Sequence, residues 1–303
     1  MIDYIYLFIY KFFSFLAKLL PKSIMDFLLK GLSWFAYNID KKHQHIINPN
    51  LKLAFGDSLG QKERDNIGKR TFYNLLQTII GFMRRNGKSK EELLKNITFK
   101  NEHILKEAIA QNKKIIFVTG HYSNWELLPP SITAKYGITL VGVGRKLDSN
   151  LMDRVLRSNR EQFGVEMIYR KGAMKGSIKA LRDGKAVGFL LDQHLGAKQG
   201  GIEVDFFGHK VMHSPAASIL ARSFSADMIP VYISTDDYKH YTVTFYDPIS
   251  FVKTEDKERD LIDMTQAQAK AMEEVIRSKP EEWFWVHKRW KGFYPEIYQR
   301  DKV

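Results

Sequence analysis

The stretch Ile115-Ile116-Phe117-Val118-Thr119-Gly120-His121-Tyr122-Ser123-Asn124-Trp125-Glu126 runs from an uninterrupted apolar segment into a His and a Glu five residues apart. The apolar part is short, β-branched and bounded by glycine, which predicts a buried strand. A His just beyond the C-terminal end of such a strand sits where open α/β sheets bind ligands. There it can serve as a general base, and a Glu close by can orient the imidazole and stabilise the imidazolium. Along one α-helix, five residues amount to about 500° of rotation, which would point the two side chains apart. The chain must therefore turn between them, with Ser123 or Asn124 as N-cap of a helix starting near Trp125. The same residues also fit a plain capping His beside a first-turn Glu facing the helix dipole.

Working outward, short apolar runs recur at Ile97–Phe99, Lys114–Thr119, Thr139–Val143, Glu166–Tyr169, Ala186–Leu191, Met228–Ser234 and Thr242–Phe245. Helical patterns at 101–111, 124–135, 149–162, 173–183 and 215–224 fall between most of them. Strands alternating with helices predict an α/β fold with a mixed, largely parallel central sheet flanked by helices. Residues 61–86 carry Ile67, Phe72, Leu75, Leu76, Ile79, Ile80 and Met83 at helical spacing, which predicts a long helix covering a core. A charged amphipathic helix is expected at 256–278, followed by an aromatic and basic tail from Trp283 to Lys291. The bland reading of that tail is a C-terminal helix fixed into the core by its tryptophans.

The 303 residues suffice for one large α/β domain. Absence of cysteine excludes disulfides, thiolate metal sites and a cysteine nucleophile. With 47 Lys and Arg against 34 Asp and Glu, the net charge of +13 favours anionic partners. Residues 2–20 are almost wholly apolar and aromatic up to Pro21, and lack the cleavage site of a signal peptide. Lys11 at mid-span would cost about 2.5–3.5 kcal/mol inside a bilayer. Lys11, Ser14, Lys18 and Lys22 recur at three- and four-residue intervals, so an in-plane amphipathic helix fits better than a spanning one. Ile24–Tyr37 repeats the scheme, with Asp26, Lys30 and Ser33 on one face. The expected division is a membrane-anchoring pair of helices over 1–40 and an α/β catalytic domain over 41–303.

Three further clusters fall at strand ends. Gly142-Val-Gly-Arg145-Lys146 directs Arg145 at the same edge as His121, and Leu191-Asp192-Gln193-His194 does so for Asp192. Asp192 and His194 lack a second ligand cluster, so Asp192 is expected to hydrogen bond a cation such as Arg145 rather than a metal. Phe206-Phe207-Gly208-His209 and Ser214-Pro215 suggest a hairpin-like loop and a helix start. No Gly-x-x-x-x-Gly-Lys-Ser/Thr occurs, and Gly142-x-Gly144 lacks the third glycine of a dinucleotide fingerprint, which disfavours nucleotide binding.

Taken in order, these motifs resemble those of the late acyltransferases of lipid A biosynthesis, within the wider lysophospholipid acyltransferase superfamily. The resemblance spans the N-terminal helix, His121-x-x-x-x-Glu126, Gly144-Arg145, Leu191-Asp192-Gln193, Phe206-Phe207-Gly208 to Ser214-Pro215, and Pro280 to Lys291 with its Trp283-Phe-Trp285-Val-His287-Lys-Arg289-Trp290 core. That family usually has glycine where Ser123 stands, and a hydrophobic or small residue where Tyr122 stands. It implies a glycerolphosphate-acyltransferase-like fold, His121 as catalytic base supported by Glu126, and substrate contacts from Arg145, Asp192 and Asn124. It further implies acyl transfer from acyl carrier protein to a hydroxyacyl hydroxyl of a phosphorylated, Kdo-bearing glycolipid, without covalent acyl-enzyme, metal or cofactor. The expected location is the cytoplasmic face of the bacterial inner membrane, and nucleic acid is not an expected partner. Two other readings remain open: the same chemistry on another lysophospholipid or glycolipid, and a non-catalytic basic protein that binds membrane or nucleic acid.

Overall fold

All five residues of Ile115–Thr119 are buried in the computed structural model, which describes residues 2–299. Met1 and residues 300–303, the outer ends of the two divisions given above, lie outside the described residues. In chain order the strands are β1 (Ile97–Lys100), β2 (Ile115–Thr119), β3 (Leu140–Gly144), β4 (Val165–Tyr169), β5 (Ala186–Leu190), β6 (Ile202–Phe206), β7 (His209–His213), β8 (Asp227–Ser234) and β9 (Tyr241–Phe245). The helices are α1 (Ile2–Leu19), α2 (Lys22–Ile39), α3 (Lys41–Phe55), α4 (Gln61–Arg85), α5 (Lys90–Leu94), α6 (Glu102–Ala110), α7 (Leu128–Tyr136), α8 (Asn150–Arg160), α9 (Ala173–Arg182), α10 (Ala216–Phe224) and α11 (Lys257–Ser278).

Seven strands form one sheet in the order β1-β9-β8-β2-β5-β3-β4, and β6 with β7 forms a separate hairpin. Pairing is parallel throughout the large sheet except between β8 and β9. All seven expected strands are present, and the largely parallel α/β sheet is as the alternating pattern predicted. Side chains of β2 alternate between two cores, as the two-residue period of a strand requires. Ile116 and Val118 pack with Leu181 of α9, Leu220 of α10 and Met272 of α11. Ile115 and Phe117 pack with Leu105 of α6 and Ile132 of α7.

Two local expectations are corrected. The helix after His121 begins at Leu128, not near Trp125, and neither Ser123 nor Asn124 caps it. Ser123 has φ 51°, a left-handed conformation that interrupts helix and costs a non-glycine residue about 1–2 kcal/mol. Glycine at this place, as in the family resembled, would adopt it freely. The segment after Trp283 is also not a helix but a run of short turns, although Trp283, Trp285 and Trp290 are almost completely enclosed. That enclosure leaves none of the three indoles available for stacking on bases.

Helix α4 matches its expected span but divides its apolar residues between two cores, with Ile67 and Phe72 in the one that holds Ile116 and Val118. Its buried residues include Thr71, Asn74, Thr78 and Arg85, whereas Ile79 is exposed. Leu76, Ile80 and Met83 pack instead with Ala17 of α1 and Met25 and Leu29 of α2. Over its C-terminal half α4 is therefore a partition, with Leu76, Ile80 and Met83 toward α1 and α2 and a polar row on the opposite side. Arg84 ties the layers together, donating to the carbonyls of Ala17 (2.6 Å) and Leu20 (3.2 Å), where the end of α1 leaves acceptors unfilled. The outer faces of α1 and α2 expose Phe8 (70%), Phe27 (75%) and Trp34 (59%). Among the described residues no helix is long and apolar enough to cross a membrane.

Candidate active site

The parallel register pairs Thr119 of β2 with Leu190 of β5, so His121 and Asp192 each stand two residues past a matched pair. They meet directly: His121 Nδ1 lies 2.8 Å from Asp192 Oδ1, and the His121 backbone N–H donates to Asp192 Oδ2 at 3.0 Å. Gly120 makes the approach possible, since a Cβ there would come within 3.1 Å of the Asp192 Cβ. Trp283 Nε1 donates to Asp192 Oδ2 at 3.0 Å, so three donors satisfy one buried carboxylate.

The tail holds the His loop in place. Phe284 N–H donates to the His121 carbonyl (3.0 Å), Ser123 N–H donates to the Glu282 carbonyl (2.8 Å), and Tyr122 bridges Trp283 as an isolated antiparallel pair. Trp125 and Phe284 flank the imidazole, with ring centroids 5.1 and 5.9 Å away. The ring remains 23% exposed, and its Nε2 has no hydrogen-bond partner among the described residues.

Charge at the site follows from this geometry. Burial disfavours the imidazolium, but the Asp192 charge and hydrogen bond outweigh it and lift His121 above its usual 6.5, with Glu126 adding to the rise. Desolvation likewise opposes ionisation of Asp192, yet His121 and the Trp283 donor bring its pKa down to about 2. Beneath the pair lies Arg289, fully buried and bonded to the carbonyls of Gln193 (3.2 Å) and Met212 (2.8 Å) and to His213 Nδ1 (2.6 Å). Burial lowers its pKa to about 10, which leaves it charged at neutral pH and opposite in sign to Asp192. His287, desolvated and beside Arg289, is held to about 4 and accepts from the His194 N–H at 3.0 Å.

The expected orienting role of Glu126 is thereby corrected in geometry. Glu126 makes no hydrogen bond to His121 among the described residues; it is paired bidentately with Arg160, whose Nε is 2.9 Å from Oε2 and whose NH2 reaches Oε1. Arg85, from the polar row of α4, donates to the Glu126 carbonyl and to Asn159 Oδ1 (3.0 Å), bracing the two segments that carry the ion pair. Asp192 is also corrected: its partners are His121 and Trp283 rather than Arg145. Arg145 is exposed at the end of β3 and forms no hydrogen bond or ion pair among the described residues. Asn124 is enclosed at 5% exposure, with its amide nitrogen close against Gly81 of α4, where a Cβ would meet it at 2.9 Å.

Sequence reasoning gave no role to Trp283, Arg289, Arg160 or Arg85. An indole N–H and a guanidinium in a tryptophan-rich tail expected to be buried do signal buried acceptors, since such groups are costly to bury unpaired. Arg85 and Arg160 each end a helix, where a cation opposes the dipole, and that ordinary placement hid them.

Beside this site, an apolar groove of about 450 Å³ opens between α1, α4 and the start of α8. Tyr6, Ile9, Phe13, Met83, Leu147 and Met152 line it. Tyr10, which also lines it, lies within electrostatic reach of Arg85, the residue that braces the Glu126 segment.

The largely parallel α/β sheet thus carries a partly exposed imidazole, paired with a buried carboxylate, at the edge where open α/β sheets bind ligands. A sequence profile for bacterial lipid A biosynthesis acyltransferases matches residues 1–292, and the chain belongs to that family. It is similar to the lipid A biosynthesis lauroyltransferase of Escherichia coli (strain K12), 26% identical over 90% of this chain and 87% of that protein. It is similar to the palmitoleoyltransferase of the same organism, 26% identical over 90% of this chain and 86% of that protein. Lipid A biosynthesis acyltransferase 2 of Shigella flexneri is 24% identical, over 89% of this chain and 85% of that protein.

Proposed function

We propose that this acyltransferase moves a fatty acyl group from acyl carrier protein to a hydroxyacyl hydroxyl of a Kdo-bearing lipid A precursor, with His121 as general base. The observation that carries the reading is the Nδ1 bond to Asp192, which fixes the tautomer and leaves Nε2 as the basic atom in a partly open ring. Nε2 takes the proton of the acceptor hydroxyl as its oxygen attacks the thioester carbon. The tetrahedral species collapses with loss of the thiolate, which recovers the proton from the imidazolium, so no covalent acyl-enzyme forms. Asp192 stabilises the transient imidazolium, and Arg160 supplies positive potential for the oxyanion. The apolar groove suits an acyl chain, and Arg145 at the end of β3 suits a phosphate or sugar carboxylate of the acceptor.

Membrane attachment belongs to the same proposal. The stripes are split: Asp26 accepts from Gln77 (3.1 Å) and Ser33 is buried, both toward the protein body, while Lys11, Lys18, Lys22 and Lys30 stay exposed. The aromatic and aliphatic side chains point outward, an arrangement suited to lying in the headgroup region at the cytoplasmic face of the inner membrane.

Transfer of a radiolabelled acyl group from acyl carrier protein to the lipid A precursor tests the proposal with purified wild type and His121→Ala. Transfer by wild type, reduced about 10²–10⁴-fold in the variant, is expected. Near-normal transfer by His121→Ala would refute the mechanism, and transfer by wild type to another lysolipid alone would move the acceptor.

A further inference from the structure

The edge of the sheet beyond β3 carries a surface that the proposed chemistry does not use. α9 packs its Ser177, Ala180 and Leu181 face inward, and Gly176 sits so close to β4 that a Cβ would come within 2.9 Å of Ile168. Its outer face carries Lys175, Lys179 and Arg182, all exposed and none in a hydrogen bond or ion pair through its side chain among the described residues. At about 100° per residue these three fall within roughly 60° of one another, a single stripe. Lys171, also exposed, precedes the helix, and the acidic residue closest to the stripe in sequence is Asp183 at the C-cap.

Two features set this stripe apart from an ordinary solvated face. Lys171 and Lys175 sit at the N-terminal end of α9, where the helix dipole disfavours cations, and no acidic residue in the first turn offsets them. The stripe also starts at the catalytic edge. The Arg170 N–H donates to the Gly144 carbonyl (2.9 Å), so α9 begins beside the end of β3 and runs back along the flank of the sheet. From Lys175 to Arg182 it covers about 10 Å.

We propose that this face of α9 docks an acidic protein, the carrier that presents the acyl thioester to His121. This rests on the donor assigned above. Charge complementarity selects a protein over a lipid surface. α1 and α2 combine cations with exposed Trp and Phe, as bilayer insertion requires, whereas on α9, among the described residues, Met174 is the one exposed large apolar side chain. A ring of unpaired cations without an inserting apolar face raises the rate and specificity of encounter with an oppositely charged protein surface.

The test uses the full chain carrying Lys175→Glu, Lys179→Glu and Arg182→Glu together, with the corresponding Gln variant as an intermediate. Binding of unacylated carrier protein is titrated at low and high salt, and transfer is measured with acyl carrier protein and with a carrier-free acyl pantetheine. The expected result is weaker carrier binding and a KM for the acylated carrier raised on the order of 10–100-fold at low salt. The gap should narrow at high salt. The acyl pantetheine rate and co-sedimentation with anionic phospholipid vesicles should stay as in wild type. Unchanged carrier binding and KM would overturn the proposal, as would lost vesicle binding with unchanged carrier KM, which would make the stripe a headgroup surface. Absence of carrier binding by wild type at low salt would also overturn it. Carrier binding without acyl transfer by wild type would refute the donor reading and leave the docking surface standing.

Discussion

Two carboxylates flank the loop that carries His121, and they have opposite surroundings. Asp192 is enclosed by three donors, two of them from His121: the imidazole Nδ1, the His121 backbone N–H and the Trp283 indole. Glu126 is enclosed by cations, with Arg160 on its carboxylate and Arg85 on its carbonyl. The first arrangement fixes the orientation and tautomer of the ring, while the second neutralises a negative charge near it and holds a guanidinium in place. Proximity in sequence thus misleads about function here. The carboxylate five residues from His121 acts on it through space, and the one 71 residues away binds it.

That contrast can be broken most sharply at Asp192. In Asp192→Asn only one acceptor remains for three donors, so an N–H is left facing an amide or the imidazole adopts the wrong tautomer. Turnover should fall on the order of 10³-fold. The wild-type acidic limb of kcat/KM should lie above pH 6.5, because the base must be deprotonated and its pKa is raised. Removing the Asp192 charge should move that limb to lower pH as the plateau falls. An unmoved limb would show that Asp192 does not set the basicity of His121.

Glu126→Gln should act more weakly on the base, lowering turnover about 10–100-fold through the released Arg160. Its acidic limb should shift in the same direction as in Asp192→Asn but by less, since Glu126 contributes only through its charge. A larger limb shift than in Asp192→Asn would reverse the two roles. The smallest change is Trp283→Phe, which keeps an aromatic ring and deletes one donor to Asp192. A loss of roughly 1–2 kcal/mol, read as about tenfold in kcat with KM for the acceptor unchanged, is expected. A selective rise in KM would instead make Trp283 a substrate contact.

Much of this architecture was legible from residue order. Short apolar or alternating runs between helical patterns located all seven strands of the sheet, and the central β2, buried on both faces, left the most continuous signal. His121 stood out for the same reason, following the most apolar of those runs. Helix α4 was legible in extent but not in direction. Its Leu76, Ile80 and Met83 row reads as a face on the main core, but α1 and α2 cover it, which leaves Thr78 and Arg85 for the carbonyls of Ser123 and Glu126, and Asn74 for that of Glu281. The tail's tryptophans read as burial and were buried, yet the short turns replacing the expected helix answer to tertiary contacts: Trp283 to Asp192, Trp285 Nε1 to the Pro280 carbonyl at 2.7 Å, and Arg289 to two strand-end carbonyls.

The sequence by itself determined the alternation of strands and helices, the basic surface, the apolar outer helices and the position of His121 at a strand end, since each depends on periodicity or composition over a local window. Only the tertiary structure decided that β5 lies beside β2 in a register that sets Asp192 against His121. Strand order is a matter of how crossovers close and which faces they bury. No local pattern encodes it, and the partner of His121 depends on it.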